Sequence, residues 1–311
     1  MTYTFLLPAF KARFFEEALG SILAQTYRDF EVIVSDDCSP EDLKSIVDKF
    51  ADSRVKYRRN ERNIGAERLV DHWNLLLDLT DAEYIIMASD DDVYDPRYLE
   101  EMDKLARKYP EASVVRGRLR RIDSDGNEIK KEDELVFDWL RPEDALWKFA
   151  KYELFSGIPQ YIFKTMTLKS LGGFAWCPGA WYSDDLTVYK MMFEGKSGMA
   201  FTKDIVFSSR VSDINISAAS NDRRNIAMKL DATASYEKAI LELLRDNGLD
   251  AELELYFKDR ARSLVCDNIE HHGYKTFLWG LRQCANLESM WLSFPWRTYV
   301  LLRHTCRHFT R

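Results

Sequence analysis

Residues 84–92 read Tyr84-Ile85-Ile86-Met87-Ala88-Ser89-Asp90-Asp91-Asp92, and this stretch decides the fold. The apolar run is too short for a helix and suits a strand buried on both faces. The change to three acids places a carboxylate cluster at that strand's carboxyl end. Phe30-Glu31-Val32-Ile33-Val34 repeats the pattern upstream and stops in Ser35-Asp36-Asp37. Tyr3 to Leu7 is a third such run, ended by Pro8.

Helical patterns lie between these runs. Phe15, Leu19, Ile22 and Leu23 recur on one face between Phe14 and Gln25. Ser39-Pro40-Glu41-Asp42 reads as a helix start, with Ser39 as cap and Pro40 at the first position, and predicts a helix to about Phe50. Val55 to Arg58 is a short strand, and Asn60 to Gly65 a turn-rich loop. Leu69, Trp73, Leu76 and Leu77 mark a further helix, and Pro96 opens another to about Tyr109. This alternation predicts an α/β chain with an open, mixed but mostly parallel sheet flanked by helices. In such sheets ligands bind beyond the carboxyl ends of the strands. Pro8-Ala9-Phe10, Asp36-Asp37 and Ser89 to Asp92 should therefore converge on one crevice.

Further along, Val114 to Arg121 reads as a strand with a hairpin turn at Ser124 to Asn127. Pro142 starts a helix, Gly172-Gly173-Phe174 is a turn, and Trp176 to Tyr182 an aromatic loop. Asp184 to Phe193 is helical and Ile205 to Arg210 the last strand. From Asp222 the pattern is helical only, over Asn225 to Arg245, Ala251 to Glu270 and Tyr274 to Trp291. Asn247-Gly248 and His272-Gly273 separate these helices as C-terminal caps. The expected organisation is an α/β domain over 1–217, in halves 1–100 and 101–217, followed by a helical C-terminal region over 218–311.

Composition narrows the function. The net charge of -7 argues against a nucleic-acid partner, which needs a basic face. The five cysteines are widely spaced with no CxxC pair, so neither a zinc site nor a disulfide framework is expected. The N-terminus lacks the basic start and apolar core of a signal peptide, and no run approaches the ~18–20 apolar residues of a membrane span. These features point to a cytoplasmic protein with reduced thiols. There is neither GxxxxGK[ST] nor GxGxxG. A bound diphosphate would thus depend on a metal rather than a backbone cradle, which disfavours a kinase or a dinucleotide-dependent oxidoreductase.

Three adjacent carboxylates repel one another, and a divalent cation among them turns that repulsion into attraction. Mg²⁺ and Mn²⁺ take one or two carboxylates together with phosphate oxygens and water. A solvated acidic loop is the other reading, and the position opposite a second acidic strand end favours the metal.

At this point the sequence resembles the glycosyltransferases of family 2, which have the GT-A fold. The resemblance rests on Pro8-Ala9-Phe10-Lys11, where the family has Pro-Thr/Ser-Tyr-Asn, and on the run from Ser21 through Gln25-Thr26-Tyr27 to Glu31-Val32-Ile33-Val34. It continues in Asp36-Asp37-Cys38-Ser39 for Asp-Asp-Gly-Ser, in Asn60 with Asn63-Ile64-Gly65, and in Tyr84 to Leu99. Gly172-Gly173-Phe174 with Asp184-Asp185 matches the acceptor-side pattern, and the resemblance covers about residues 1–217. Ser89 replaces the first acid of the usual Asp-x-Asp-Asp, and Ser212 a usual histidine in the Arg210 to Ser217 loop.

The resemblance implies a GT-A fold and an inverting, metal-dependent transfer from a nucleotide sugar, most often a UDP-sugar, to a glycan or lipid-linked acceptor. Pro8 and Phe10 would line the nucleotide site, with Phe10 stacked on the base, Asp37 on the base edge and Asn63 in the adjoining loop. Asp90 would hold the ribose and Asp91 the Mn²⁺ or Mg²⁺, with Asp92 a neighbouring or alternative ligand. Asp185 would be the general base, with Asp184 the alternative; both could instead cap the following helix. Arg210 would contact the diphosphate or serve as a structural strand-end arginine. Trp176, Trp181 and Tyr182 would face the acceptor or simply pack. A non-catalytic nucleotide-binding scaffold and a nucleotidyltransferase are the rival readings.

Residues 277–311 carry five arginines and seven Trp, Tyr or Phe side chains against the single acid Glu288. Basic and aromatic residues at helical spacing make an interfacial membrane helix, which would place the protein at the inner face of the cell membrane. A helix packed on its own domain is the alternative.

Overall fold

The structure, a computed structural model, describes residues 1–269 apart from 152, 155 and 216–222. The expected helix over Tyr274 to Trp291 and the basic aromatic segment 277–311 lie outside the described residues. No described helix is long and apolar enough to cross a membrane.

The described residues fall into two compact units, 1–176 with 183–215, and 177–182 with 223–269. In the first, ten described strands form one sheet. β1 (Tyr3–Ala9), β2 (Phe30–Asp36), β3 (Val55–Arg59) and β4 (Tyr84–Met87) run parallel in the order β3-β2-β1-β4. The helices α1 (Phe15–Leu23), α2 (Leu43–Phe50) and α3 (Leu69–Leu77) connect them. β5 (Val93–Tyr94), α4 (Tyr98–Lys108), β6 (Val114–Ile122), β7 (Glu128–Lys131) and β8 (Trp139–Leu140) come next. Then come α5 (Pro142–Ala150), β9 (Tyr161–Lys164), α6 (Thr165–Ser170), α7 (Ser183–Phe193) and β10 (Met199–Arg210). The sheet continues β4-β9-β6-β10-β5, with β9 antiparallel to both neighbours and β10 parallel to β6. A mixed α/β sheet flanked by helices is thus the architecture.

The central strands explain their own composition. Phe5, Leu6, Leu7, Val32, Val34, Ile85, Ile86 and Met87 are all fully buried, so both faces of these strands are covered. Burying each such side chain is worth about 1.5–3 kcal/mol. Pro8 sits beyond Leu6, the last β1 residue paired with β4, so its missing N–H costs little there.

The signature run at residues 21–31 is structural. Gln25, fully buried, donates to the Ser21 and Asp95 carbonyls at 3.2 and 2.8 Å. Its Oε1 accepts from Leu99 N at 2.9 Å, satisfying a free amide in the first turn of α4. Thr26 N donates to Pro96 O at 2.8 Å. The chain leaving the acid turn is therefore pinned to the end of α1.

One helix start differs from expectation. α2 begins at Leu43, and its cap is Asp42, whose carboxylate accepts from Ser45 N at 3.1 Å. Ser39 is taken up earlier, its hydroxyl donating to Phe10 O at 2.6 Å and accepting from Glu41 N at 3.0 Å. The last strand starts at Met199 rather than Ile205 because β6 and β8 pair with its first residues.

In the second unit, α8 (Arg223–Asp246) and α9 (Ala251–Ile269) pack together through Tyr236, Ile240, Leu244, Leu253 and Phe257, all buried. Gly248, at φ +61, ends α8, with Leu249 N returning to Leu244 O at 3.0 Å. Trp181 lies under Lys229, and Tyr182 packs on Tyr236 with ring centroids 5.1 Å apart. These two aromatics pack within their own helical unit, while Trp176 is exposed.

Candidate active site

The carboxyl ends of β1, β2 and β4 open on one cavity of about 320 Å³. Pro8, Phe10, Asp37, Asn63, Ser89 and Asp90 line it, so the three strand ends converge as the sequence pattern predicts. Its inner wall holds Leu69 and Trp73, which the sequence marks only as helical, together with Ala66, His72 and Ile158, which sequence reasoning did not single out. The helical period of Leu69 and Trp73 was visible, but nothing in it showed that this face meets a ligand cavity rather than only core.

The two acids after β2 divide their work. Asp36 is fully buried. It accepts from Ser39 N at 2.7 Å, from Tyr57 Oη at 2.6 Å and from the Arg59 guanidinium. Asp37 lines the cavity and gathers the 60–65 loop, accepting from Asn60 Nδ2 and Ile64 N at 2.9 Å and Gly65 N at 3.0 Å. Gly65 adopts φ +80, a left-handed conformation that brings its N–H to this carboxylate. Burial raises the Asp37 pKa, and the donors from Gly65, Ile64 and Asn60 outweigh it, so the carboxyl stays below its usual range. A carboxylate has about four acceptor positions, so Asp37 retains one for a ligand donor. Behind it, buried His72 bonds Ser35 Oγ at 2.9 Å and lies 3.4 Å from Asn60 Nδ2.

At the acid turn, Asp90 Oδ2 accepts from the backbone amides of Phe10 and Lys11, both at 2.9 Å. Asp92 turns inward, accepting from Ser89 Oγ at 2.6 Å and Arg210 N at 2.7 Å. This explains the departure at residue 89: a serine donates to Asp92, where an acid would add a further negative charge. Burial, then the neighbouring Asp90 charge, pushes Asp91 up to about 6. Burial, then Asp91, pushes Asp92 up to about 7, and burial also raises Asp90.

No described group of three or more His, Cys, Asp or Glu side chains forms a ready metal cage. The donor set still fits a Mg²⁺ or Mn²⁺ that brings phosphate oxygens and water, which needs only one or two carboxylates. Half-buried Asp91 suits this, because the repulsion that raises its pKa is what a cation relieves. The folded pKa values of Asp91 and Asp92 lie above their ordinary 3.8. The stability these groups contribute is thus fully present below about pH 4 and lost as pH rises through about 6 and 7. Mn²⁺ with a nucleoside diphosphate is therefore expected to raise the thermal midpoint more at about pH 8 than at about pH 5. A gain independent of pH would count against Asp91 as the ligand.

Arg210 has the surroundings of a structural strand-end arginine, one of its two sequence readings. It is only 2% exposed, and its guanidinium is occupied by protein acceptors. Nε donates to Asp91 O at 2.8 Å, Nη1 to Asp123 O and Ser124 O at 3.1 and 3.2 Å, and Nη2 to Glu17 Oε2 at 2.6 Å. It lies over the Phe14 ring, tying the acid turn to α1 and to the β6–β7 hairpin.

Asp184 and Asp185 occupy the first turn of α7, where a negative charge is favourable, and do not line the cavity. Asp184 Oδ1 accepts from Asp185 N at 2.9 Å, while Asp185 is buried and its charge bears on Tyr161. Ile158, in the cavity wall, stands three residues before Tyr161 in the chain. The preceding turn needs its glycines. Gly172 and Gly173 have φ +84 and +86, and a Cβ on Gly173 would lie 2.3 Å from Asn74 Oδ1. That oxygen accepts from Phe174 N at 2.8 Å, and Phe174 packs edge-on against Trp73.

Residues 4–183 match the model of glycosyl transferase family 2, and the chain belongs to that family. It is 30% identical over 148 residues to the glycosyltransferase GlyG of Streptococcus pneumoniae, covering 44% of this chain and 48% of that one. It is 34% identical over 90 residues, 28% of each chain, to the GalNAc(5)-diNAcBac-PP-undecaprenol beta-1,3-glucosyltransferase of Campylobacter jejuni. The chain spans about half or less of the length of these curated relatives. Among solved structures, S. aureus TarS in complex with UDP-GlcNAc aligns with TM-score 0.58 at 16% identity, over 93% of this chain and 89% of that one. The mannosyltransferase PcManGT of Pyrobaculum calidifontis, in complex with GDP-Man and Mn2+, aligns with TM-score 0.56 at 18% identity, over 96% of this chain and 83% of that one. These likenesses establish the GT-A fold.

Proposed function

We propose that this protein is an inverting, metal-dependent glycosyltransferase. It moves a sugar from a nucleoside diphosphate sugar, a UDP-sugar in the first instance, to a hydroxyl of a glycan or lipid-linked acceptor. The observation that carries the proposal is the single cavity joining Phe10, Asp37 and Asn63 to the acid turn at Asp90. Phe10, exposed at the cavity mouth, stacks on the base, and Asp37 accepts from its edge. Asp90 keeps one oxygen for the ribose while the other holds residues 10 and 11.

Asp91 is the proposed ligand for Mn²⁺ or Mg²⁺, and inward-turned Asp92 positions it. A bound divalent ion supplies charge stabilisation to the leaving diphosphate. Asp185 takes the proton from the acceptor hydroxyl as that oxygen bonds the anomeric carbon. The bond from that carbon to the β-phosphate oxygen breaks, and the nucleoside diphosphate leaves with the electron pair. A thermal-shift panel of nucleoside diphosphate sugars, with and without Mn²⁺, tests the donor class. A donor that raises the midpoint only with metal supports the proposal, and no response to any donor refutes it.

Segment 277–311 is proposed to hold the protein at the inner membrane face. Truncation after Asn268 should move it from the membrane fraction to the soluble one. Unchanged partitioning would exclude this role.

A further inference from the structure

We infer that the Lys11 ammonium is the protein's own cation for the diphosphate of the bound nucleotide sugar, and that it links diphosphate binding to the 211–215 segment. The inference rests on the donor site proposed above.

The electrostatics require such a group. Three carboxylates and a diphosphate outweigh one divalent cation, so the site needs positive charge from the chain. Lys11 and Arg210 are the cations that act most strongly on Asp91. Arg210 is committed to the Asp91, Asp123 and Ser124 carbonyls and to Glu17. Arg13, the next cation along the loop, is paired with Asp213 at 2.8 Å on the surface.

Lys11 differs from both. Its backbone N–H is fixed on Asp90 Oδ2 at 2.9 Å, which sets the start of the side chain against the acid turn. Its charge bears on Asp90 and on Asp91. Its Nζ donates to the Ile214 carbonyl, and an ammonium has three donors, so it can bond a phosphate oxygen as well. Ile214 belongs to the segment after β10, which Asn215 anchors by donating to Arg210 O at 2.7 Å. With Arg13 and Asp213, Lys11 fastens that segment to the loop after β1. One residue thus bonds the acid turn through its backbone N–H and the segment through its ammonium. When the bond to the β-phosphate oxygen breaks, the charge left on the diphosphate faces this ammonium.

Calorimetric titration of the full chain in Mn²⁺ tests the assignment. The probes are UDP and GDP, each compared with its parent nucleoside, against the wild type, Lys11→Met and Lys11→Arg. The Met variant should lose about tenfold or more of the nucleoside diphosphate affinity and keep the nucleoside affinity. The Arg variant should recover most of the loss, because it restores charge and donors. An unchanged ratio of diphosphate to nucleoside affinity in the Met variant would overturn the inference. Parallel loss of both would also overturn it, leaving Lys11 a loop-building residue only. A wild type that binds none of the four probes would instead bring down the donor-site reading, and this inference with it.

Discussion

Asp185→Asn should lower kcat by about 10²–10⁴-fold while leaving nucleotide affinity nearly unchanged. Asparagine keeps the shape of the side chain and its place in the first turn of α7 but cannot take a proton. Asp185 lies outside the wall of the nucleotide cavity, so substrate binding at Phe10 and Asp37 should not register the change. Asp184→Asn should cost far less, because the Asp184 carboxylate is engaged with the Asp185 amide at 2.9 Å and an amide oxygen can accept that bond. Steady-state kinetics on both variants separates the two neighbours. A larger loss at Asp184 would exchange their roles, and full activity in both would remove the base from α7 altogether.

Asp91→Asn should abolish metal-dependent turnover and at the same time stabilise the metal-free protein. Burial and the neighbouring Asp90 charge raise the Asp91 pKa to about 6, so at neutral pH its ionised form works against folding. A neutral isostere removes that repulsion, and a rise of roughly 2–4 °C in the metal-free thermal midpoint is expected. The midpoint gain from Mn²⁺ and a nucleoside diphosphate should vanish in the variant. These opposite signs distinguish a ligand from a merely structural acid, whose loss would lower the midpoint. Asp92→Asn removes a repulsion of the same kind, since burial and Asp91 raise Asp92 to about 7. It also weakens the acceptor for Ser89 and the Arg210 amide, so its metal-free midpoint should rise less than that of Asp91→Asn.

The sequence pattern revealed the strands, their order of appearance and the acids at their ends, because a buried parallel strand has no polar face to blur its apolar run. The convergence of Pro8, Phe10, Asp37 and Asp90 followed from topology alone. What stayed hidden depended on partners distant in the chain. Asp36 and Asp37 are adjacent and chemically identical, yet only the positions of Tyr57 and Arg59 make one structural. Arg210 reads equally well as an anion contact until Glu17 and the carbonyls of residues 91, 123 and 124 occupy its guanidinium. Ser89 reads in the sequence only as a departure from the usual first acid, and its bond to Asp92 makes it a support for the turn. The Ser39-Pro40 signature gave a cap position three residues early, because Ser39 is bonded to the loop after β1 and Asp42 takes over. His72 and Trp73 entered the cavity wall through the pitch of α3 against the sheet, which apolar spacing does not encode.

The central claim is that the acid turn and Asp185 transfer a sugar, and product analysis tests it most directly. The wild-type protein is incubated with each nucleoside diphosphate sugar and Mn²⁺, and the released nucleotide is measured. The account predicts metal-dependent release of a nucleoside diphosphate from one donor, lost in both Asp91→Asn and Asp185→Asn. Release of pyrophosphate would mark a nucleotidyltransferase, and nucleotide binding without turnover of any donor would mark a scaffold; either result would contradict the account.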